Sequence, residues 1–308
     1  MPWAGKVPKG YIVDFLGVFT DAKFCVLLAV DPQMTGGDYF ETRLPTIEDG
    51  EDWFEAANWI LAARAARGRY VMATLGASYG AQAVGSCRAL QLLNPMPYKL
   101  VAVEPEPDNY ERTRRHLQNN GIDPDAQWLL KSAISARNDP VLFPIGSPGS
   151  GAQNCVATNE DRSRRVYADE IISAGRSAEV LRNLMTTNST GITKHLDPGK
   201  IFPAEIKMVS AITLQDVLGP FDVVDYVESD IQQSEILVFP PFMTLLKRKV
   251  RRVHIGTHGL EVHRTLLQLF EKDGWEIVFN YEPNSTFSSA LGSFSTNDGV
   301  LTVVNPDL

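Results

Sequence analysis

The stretch that decides the fold is Tyr70-Val-Met-Ala-Thr-Leu-Gly-Ala-Ser-Tyr-Gly80. Its first six residues, 70–75, are apolar enough for a buried strand, and residues Ala81–Leu93 have the pattern of a helix. Gly76 and Gly80 mark the loop between them, where glycine allows a tight turn and a close approach of another group to the backbone. The stretch therefore predicts a strand, a glycine loop and a helix in direct succession.

Short strands and helices alternate on both sides of this stretch, which implies right-handed crossovers and a parallel sheet. The last two strands have no helix between them, which predicts an antiparallel pair at the sheet edge. We therefore predict an α/β, Rossmann-like fold: a mainly parallel seven-stranded sheet with helices on both faces and an antiparallel edge strand. The other predicted elements are helices over Glu51–Arg67, Pro107–Asn120, Ser234–Lys247 and Leu260–Lys272, and strands over Leu100–Val103, Trp128–Leu130, Phe221–Val227, Arg252–Ile255, Trp275–Tyr281 and Gly299–Val304.

The alternation sets the domain boundaries. Residues 1–50 read as an N-terminal extension of short extended pieces and turns, with a strand over Phe24–Val30. Residues 51–308 form one domain, interrupted at about 146–203 by a segment that opens Gly-Ser-Pro-Gly-Ser-Gly and then turns polar. We predict that this segment is an insertion, part loop and part helix (Ala168–Met185).

The composition excludes several classes of protein. Apolar residues make up 44% of the chain and charged residues 21%, which excludes disordered and fibrous classes. The formal charge of −8 disfavours a broad nucleic-acid or anionic-membrane surface. Cys25, Cys87 and Cys155 are widely separated and suit a reducing compartment. No apolar run approaches a membrane span and no signal-peptide core follows Met1, so we expect a soluble, cytoplasmic protein.

An acidic residue, Glu104, closes the strand that follows the glycine loop. A carboxylate at that place can accept both hydroxyls of a ribose, and together with the loop it predicts a nucleoside site. Taken separately, Gly76 and Gly80 also suit a structural turn, and Glu104 also suits a surface position. The spacing Gly-x-x-x-Gly is not the Gly-x-Gly-x-x-Gly of dinucleotide sites, which disfavours a nicotinamide cofactor.

Several segments together resemble the FkbM family of S-adenosylmethionine-dependent methyltransferases over about residues 65–282, with 146–203 much less alike. The loop 74–80 is similar to the family's D-x-G-A-N-x-G, and Glu104, Pro105, Pro107 and Asn109 match its E-P-x-P-x-N. Five later segments also follow its pattern. They are Asn119-Asn120, Ser132-Ala-Ile-Ser135, Val209–Leu218 (V-x-T-L-D-D-L) with Glu228–Glu235 (K-I-D-V-E-G-A-E), and Ile255-Gly-Thr-His258 (I-E-x-H).

The resemblance implies a class I methyltransferase fold, S-adenosyl-L-methionine as cofactor and methylation of oxygen. The residues it assigns to the cofactor are Thr74, Gly76, Ala77, Ser78, Tyr79, Gly80, Glu104, Pro105, Asn109, Ser132, Ala133 and Asp230.

The chain also departs from the family pattern. Thr74 stands where an acid usually helps to hold the methionine amino group, and Ser78 replaces the loop Asn. Gln232 and Gln233 replace Glu and Gly, and Gly256 replaces the acid two residues before the last histidine. The cofactor end is therefore kept in outline, whereas the catalytic end is altered.

Asp230 and His258 follow two strands at their carboxyl ends, where ligands of open α/β sheets bind. A histidine suits proton removal from the acceptor, so His258 is the candidate base. Asp230 is either its orienter or a contact to the methionine portion, and His258 also suits a hydrogen-bonded strand end. Glu235 at a helix start suits the helix dipole. His254 reads as structural and His263 as a surface residue. We predict no metal site, because Asp230 and His258 alone are a sparse set for magnesium.

The leading hypothesis is an S-adenosylmethionine-dependent methyltransferase that O-methylates a sugar or small metabolite. The alternatives are a catalytically degenerate nucleoside-binding module and a nicotinamide-dependent oxidoreductase. The expected partner is a small-molecule or sugar acceptor, without nucleic acid or membrane, and a homo-oligomer stays open. Segment 146–203 is expected to cover the acceptor side.

Overall fold

A seven-stranded sheet forms the centre of the protein in a computed structural model that describes residues 2–24, 39–145 and 205–308. Its strands run β3-β2-β1-β4-β5-β7-β6 across the sheet. In chain order they are β1 (Tyr70–Leu75), β2 (Tyr98–Val103), β3 (Trp128–Leu130), β4 (Tyr226–Ser229), β5 (Arg252–Thr257), β6 (Glu276–Tyr281) and β7 (Gly299–Val304). The predicted fold class, α/β and Rossmann-like, is confirmed.

The one strand of this sheet that runs against its neighbours is not at the edge. β7 is antiparallel to both β5 and β6, and it lies between them. The chain passes from β5 through a helix to the edge strand β6 and then turns back into the gap. The predicted antiparallel pair is therefore real, but the antiparallel strand is second from the edge. The sequence pattern does not distinguish an edge strand from the strand beside it, because the same connection can join two antiparallel strands in either order across the sheet.

Helices cover both faces, because the strand side chains alternate between two apolar cores. Tyr70 and Met72 of β1 pack with helices that precede β3, whereas Val71, Ala73 and Leu75 pack with helices that follow it. In chain order the helices are α1 (Glu51–Ala65), α2 (Ala81–Leu93), α3 (Pro107–Asn119), α4 (Leu214–Leu218), α5 (Glu235–Val238), α6 (Met243–Lys249) and α7 (Leu260–Lys272).

Two predicted elements differ from the structure by more than two residues. The helix predicted over Ser234–Lys247 is broken into α5, a 3-10 turn over Pro240–Phe242 and α6, because Pro240 and Pro241 have no N–H to donate. The strand predicted over Phe221–Val227 is instead Tyr226–Ser229. Before it, Val224 makes only an isolated bridge to Val250.

Short pairs lie outside the sheet. The N-terminal extension pairs Ala4–Lys6 with Tyr39–Glu41 and Tyr11–Val13 with Phe19–Asp21. A hairpin that the sequence analysis did not predict, Ser285–Ser289 with Gly292–Thr296, fills the connection between β6 and β7. Its Phe294 packs on Phe54 of α1 and on Tyr281.

The interrupting segment is flanked by two paired strands, Val141–Ile145 and Glu205–Val209. Residues 146–203, with the helix predicted over Ala168–Met185, lie outside the described residues, as do Cys25, Cys155 and most of Phe24–Val30. Cys87 is buried. In the ranges that the structure describes, no helix combines the length and the apolar character needed to cross a membrane.

Candidate active site

A cavity opens at the carboxyl ends of β1, β2 and β4, where the parallel strands direct three loops toward one another. It encloses about 590 Å³ of space, part of which is open solvent. The described residues that line it are Gly76, Ser78, Val103, Glu104, Pro105, Asn109, Ala133, Ile134, Phe143, Asp230, Ile231, Gln232 and Ser234.

Gly76 brings the end of β1 against the end of β4. It has φ +83°, and a Cβ at this residue would lie 2.1 Å from the carbonyl oxygen of Asp230. The Asp230 N–H donates to the Leu75 carbonyl at 3.0 Å, which holds the two strand ends together. Only glycine fits both the left-handed conformation and the close backbone approach.

The rest of the loop explains a substitution seen in the sequence. Ser78 has φ +50°, a left-handed conformation that Asn adopts more readily than most residues with a side chain. Thr113 of α3 donates from Oγ1 to the Ser78 carbonyl at 2.8 Å and so supports this conformation. Gly80, also left-handed at φ +82°, is the N-cap of α2. Ser78 therefore keeps the loop geometry that an Asn would give.

Glu104 is buried at the cavity wall and is held by the backbone. Its Oε2 accepts the Ser78 N–H at 2.7 Å, and its Oε1 accepts the Glu106 N–H at 2.9 Å. Burial raises the pKa of Glu104 to about 8, although these two N–H groups and the Asn109 amide lower it. A carboxylate has about four acceptor positions, and these three donors occupy up to three of them, so at least one stays open to a ligand.

Seven of the twelve residues assigned to the cofactor by resemblance line the cavity, and five do not. Gly76, Ser78, Glu104, Pro105, Asn109, Ala133 and Asp230 line the cavity, whereas Thr74, Ala77, Tyr79, Gly80 and Ser132 do not.

Three of those five residues make contacts elsewhere in the fold. Thr74 is buried and donates from Oγ1 to Glu228 Oε2 at 2.5 Å. The Tyr79 ring packs near Phe24 and His116, and Ser132 Oγ lies 2.8 Å from Ser210 Oγ.

The candidate catalytic residues lie together, but only one of them is in the wall. Asp230 lines the cavity with 48% of its side chain exposed, whereas the His258 side chain is 3% exposed and does not line it. His258 Nε2 lies 3.4 Å from Asp230 Oδ1 and 3.5 Å from Asp298 Oδ2. Gln232 Nε2 lies 2.7 Å from the same ring nitrogen.

His258 is surrounded by carboxylates. Burial lowers its pKa, but the charges of Asp230, Asp298, Glu235 and Glu51 outweigh this, so its pKa lies above the usual value of a histidine. The pKa values of two of these acids are shifted as well. Burial raises the pKa of Glu51 and of Glu235 to about 7 in each case.

The sequence analysis missed part of this cluster. Glu51, at the start of α1, and Asp298, just before β7, are joined by a hydrogen bond from the Asp298 N–H to Glu51 Oε1 at 2.9 Å. Asp298 lies near His258 because β7, which it precedes, pairs with β5. Glu228, the first residue of the segment Glu228–Glu235, was not among the predicted site residues.

His254 and His263 have structural contacts. His263 was predicted at the surface, but it is fully buried between Thr257 Oγ1 and Asn280 Oδ1, each 2.8 Å from a ring nitrogen. Helix α7 turns it inward onto the sheet. His254 lies 2.8 Å from Thr302 Oγ1, as expected of a structural residue in a strand. In the part of the chain described here, no group of three or more His, Cys, Asp or Glu could hold a metal ion.

Comparison with known proteins gives one curated relative and several solved structures. No protein-family model matches the chain. The chain is 24% identical over 304 residues to a protein of Jannaschia sp. (strain CCS1) described as a "Putative methyltransferase", covering 97% of this chain and 94% of that protein.

Two of the similar solved structures are a methyltransferase FkbM from Methylobacillus flagellatus KT and an O-methyltransferase from Bacillus cereus in complex with SAH. The first is 11% identical, with a TM-score of 0.40, over 78% of this chain and 45% of that chain. The second is 9% identical, with a TM-score of 0.38, over 85% and 84%. The chain thus spans less than half the length of the FkbM structure.

The fold and the cavity together define a class of protein. The strand order β3-β2-β1-β4-β5-β7-β6 with a reversed β7 is the class I methyltransferase order, and the chain has this fold. The relative from Jannaschia confirms the predicted resemblance to methyltransferases.

Proposed function

We propose that the chain is an S-adenosylmethionine-dependent methyltransferase whose acceptor is a hydroxyl of a sugar or small metabolite. The observation that carries the proposal is the Glu104 carboxyl group, fixed by two backbone N–H groups at the wall of a cavity that Gly76 and Asp230 also line. A carboxylate held in this way suits the two adjacent hydroxyls of a ribose.

In this proposal the residues around the cavity have separate roles. Glu104 accepts the ribose hydroxyls, and the loop at Gly76 and Ser78 leaves room for the cofactor beside the backbone. S-adenosylmethionine supplies a methyl group on a positively charged sulfur. Asp230 is placed to take the proton from the acceptor, with His258 behind it, and the fixed strand ends keep both reactants in line.

Calorimetry with S-adenosylhomocysteine and with NAD tests the cofactor. We expect S-adenosylhomocysteine to bind and Glu104→Gln to weaken binding. Glu106→Gln is the matched control, since Glu106 is equally buried but caps α3 by accepting the Asn109 N–H and does not line the cavity. Binding of NAD without S-adenosylhomocysteine would overturn the proposal.

Transfer of a labelled methyl group to a panel of sugars and hydroxylated metabolites then tests the chemistry. We expect turnover on at least one hydroxyl acceptor. Cofactor binding without turnover on any acceptor would favour the degenerate binding module, and turnover on amines alone would correct the oxygen acceptor to nitrogen.

A further inference from the structure

The turn after β4 places two polar side chains in the cavity wall, and a third polar side chain, from another strand, lies behind them. Asp230 and Gln232 line the cavity, whereas His258 lies behind them at the end of β5. A general base must come within hydrogen-bond reach of the proton that it takes. In this arrangement Asp230 has direct access to the cavity, and His258 reaches it only through Asp230 and Gln232.

Gln232 links the other two side chains. Its Nε2 donates to Asp230 Oδ1 at 3.0 Å and lies 2.7 Å from His258 Nε2. The turn that places it is strained, since Gln232 and Gln233 have φ values of +54° and +77°. Glu235 Oε1 accepts the Ile231 N–H at 2.8 Å and helps to hold the turn in this form. Strain that the surrounding structure maintains is typical of functional sites.

The contacts of Gln232 depend on the protonation state of His258. While the amide nitrogen donates to both partners, His258 Nε2 must be an acceptor, so the ring is neutral. A protonated ring carries an N–H at Nε2, which the Gln232 N–H cannot face, whereas the amide oxygen and the nearby carboxylates of Asp230 and Asp298 can accept it. The amide must then turn, and its N–H leaves Asp230. One proton on His258 therefore changes the hydrogen bond that Asp230 receives.

The groups that face His258 come from four elements. They are Asp230 after β4, Glu235 of α5, Asp298 before β7 and Glu51 of α1, and their charges favour the protonated ring. Gln232 is the neutral contact among these acids, and its N–H opposes protonation of the ring. The resemblance stated above has Glu at this position, which would add a fifth acid.

We propose that Gln232 is a positioning residue that couples the protonation state of His258 to Asp230, and that Asp230 is the residue that meets the acceptor. This inference rests on the proposed methyl transfer. In the step, the acceptor O–H proton passes to the Asp230 carboxylate, and an oxygen electron pair forms the new O–CH₃ bond. The electron pair of the S–CH₃ bond goes to sulfur, which becomes neutral.

NMR titration of the His258 ring tests the coupling without an acceptor. We expect Gln232→Glu to raise the pKa of His258 by about one unit or more, because an acceptor replaces a donor at Nε2. Gln233→Glu is the matched control: it adds the same charge one residue away and should shift the pKa by clearly less. Equal shifts in the two variants, or no shift in either, would overturn the inference.

Two further measurements separate this inference from the proposed function. Far-UV circular dichroism establishes that each variant is folded, and Gln232→Asn supplies a neutral variant with a shortened amide that should also move the pKa of His258. If S-adenosylhomocysteine does not bind but the pKa responds to Gln232→Glu alone, the proposed function fails and the coupling stands.

If an acceptor is found, Asp230→Asn should abolish turnover, whereas His258→Gln should retain part of it and flatten its pH profile; the reverse order would overturn the role given to Asp230.

Discussion

Cofactor binding should release a proton, because Glu104 must change its charge to accept two ribose hydroxyls. Burial raises its pKa to about 8, so at pH 7 only about one molecule in ten has an ionised Glu104 before binding. Its two oxygens already accept the N–H groups of Ser78 and Glu106. Further donors on both oxygens favour the carboxylate, because a protonated oxygen must donate. Binding near neutral pH should therefore release roughly one proton.

The magnitude follows from the same pKa. Below about pH 8 the dissociation constant for S-adenosylhomocysteine should rise by up to roughly tenfold per pH unit, about 1.4 kcal/mol. Above that pH it should level off. Calorimetry in two buffers with different ionisation enthalpies measures the proton directly. In Glu104→Gln the proton release should vanish, and the loss of a charged hydrogen bond should weaken binding by roughly 10- to 150-fold.

The pH dependence that Glu104 gives to the free energy of unfolding is opposite in sign to that of a salt-bridged carboxylate. The folded pKa of Glu104 lies above its unfolded value of 4.5, so between these pH values the folded state holds the proton that the unfolded state has lost. The free energy of unfolding that Glu104 contributes is therefore highest below pH 4.5 and falls as pH rises toward 8. Glu106→Gln should keep the proton release. Cofactor affinity that does not change between pH 6 and 8 would refute the reasoning.

Two predictions concern the backbone at the cavity. Gly76→Ala should lower the free energy of unfolding by about 2–5 kcal/mol, because its Cβ would meet the Asp230 carbonyl, whereas Gly121→Ala, also at positive φ but with open space around it, should cost only about 1 kcal/mol; equal losses in urea unfolding would contradict the contact. Gln233→Gly should raise the free energy of unfolding by about 1 kcal/mol by relieving its left-handed conformation, whereas Gln268→Gly inside α7 should lower it by a similar amount; a loss of stability at both positions would show that residue 233 is not strained.

The sequence predicted those parts of the fold that depend on local pattern. β1, α2 and α7 have the predicted bounds, because apolar runs and helical spacing bounded by glycine are strong signals. Pro240 and Pro241 also indicate the break between α5 and α6, but the apolar residues around them favour the prediction of one continuous helix. The convergence of Glu51 and Asp298 on His258 could not be predicted, because it depends on β7 entering the sheet between β5 and β6.

Thr74 and Glu228 show why single departures from a motif are difficult to interpret. In the sequence they appear as two separate changes, an acid lost from the glycine loop and a lysine lost from a later motif. In the sheet they are direct neighbours on β1 and β4, and the Thr74 hydroxyl donates to the Glu228 carboxyl group. Burial raises the pKa of Glu228 well above its usual value. A family member with an acid and a lysine at these two places would hold opposite charges there, whereas this chain holds a hydroxyl hydrogen-bonded to a carboxyl group whose pKa is raised by burial.

The two departures from the motif therefore meet in one buried hydrogen bond. A buried hydrogen bond avoids the desolvation of two charges, which is a large cost inside a protein. It also limits what the change says about activity. Neither Thr74 nor Glu228 lines the cavity, so the loss of the acid at 74 does not by itself remove a group from the cavity wall. Introducing Asp at 74 alone would press a second carboxyl group against Glu228, so the acid can return only together with a base at 228.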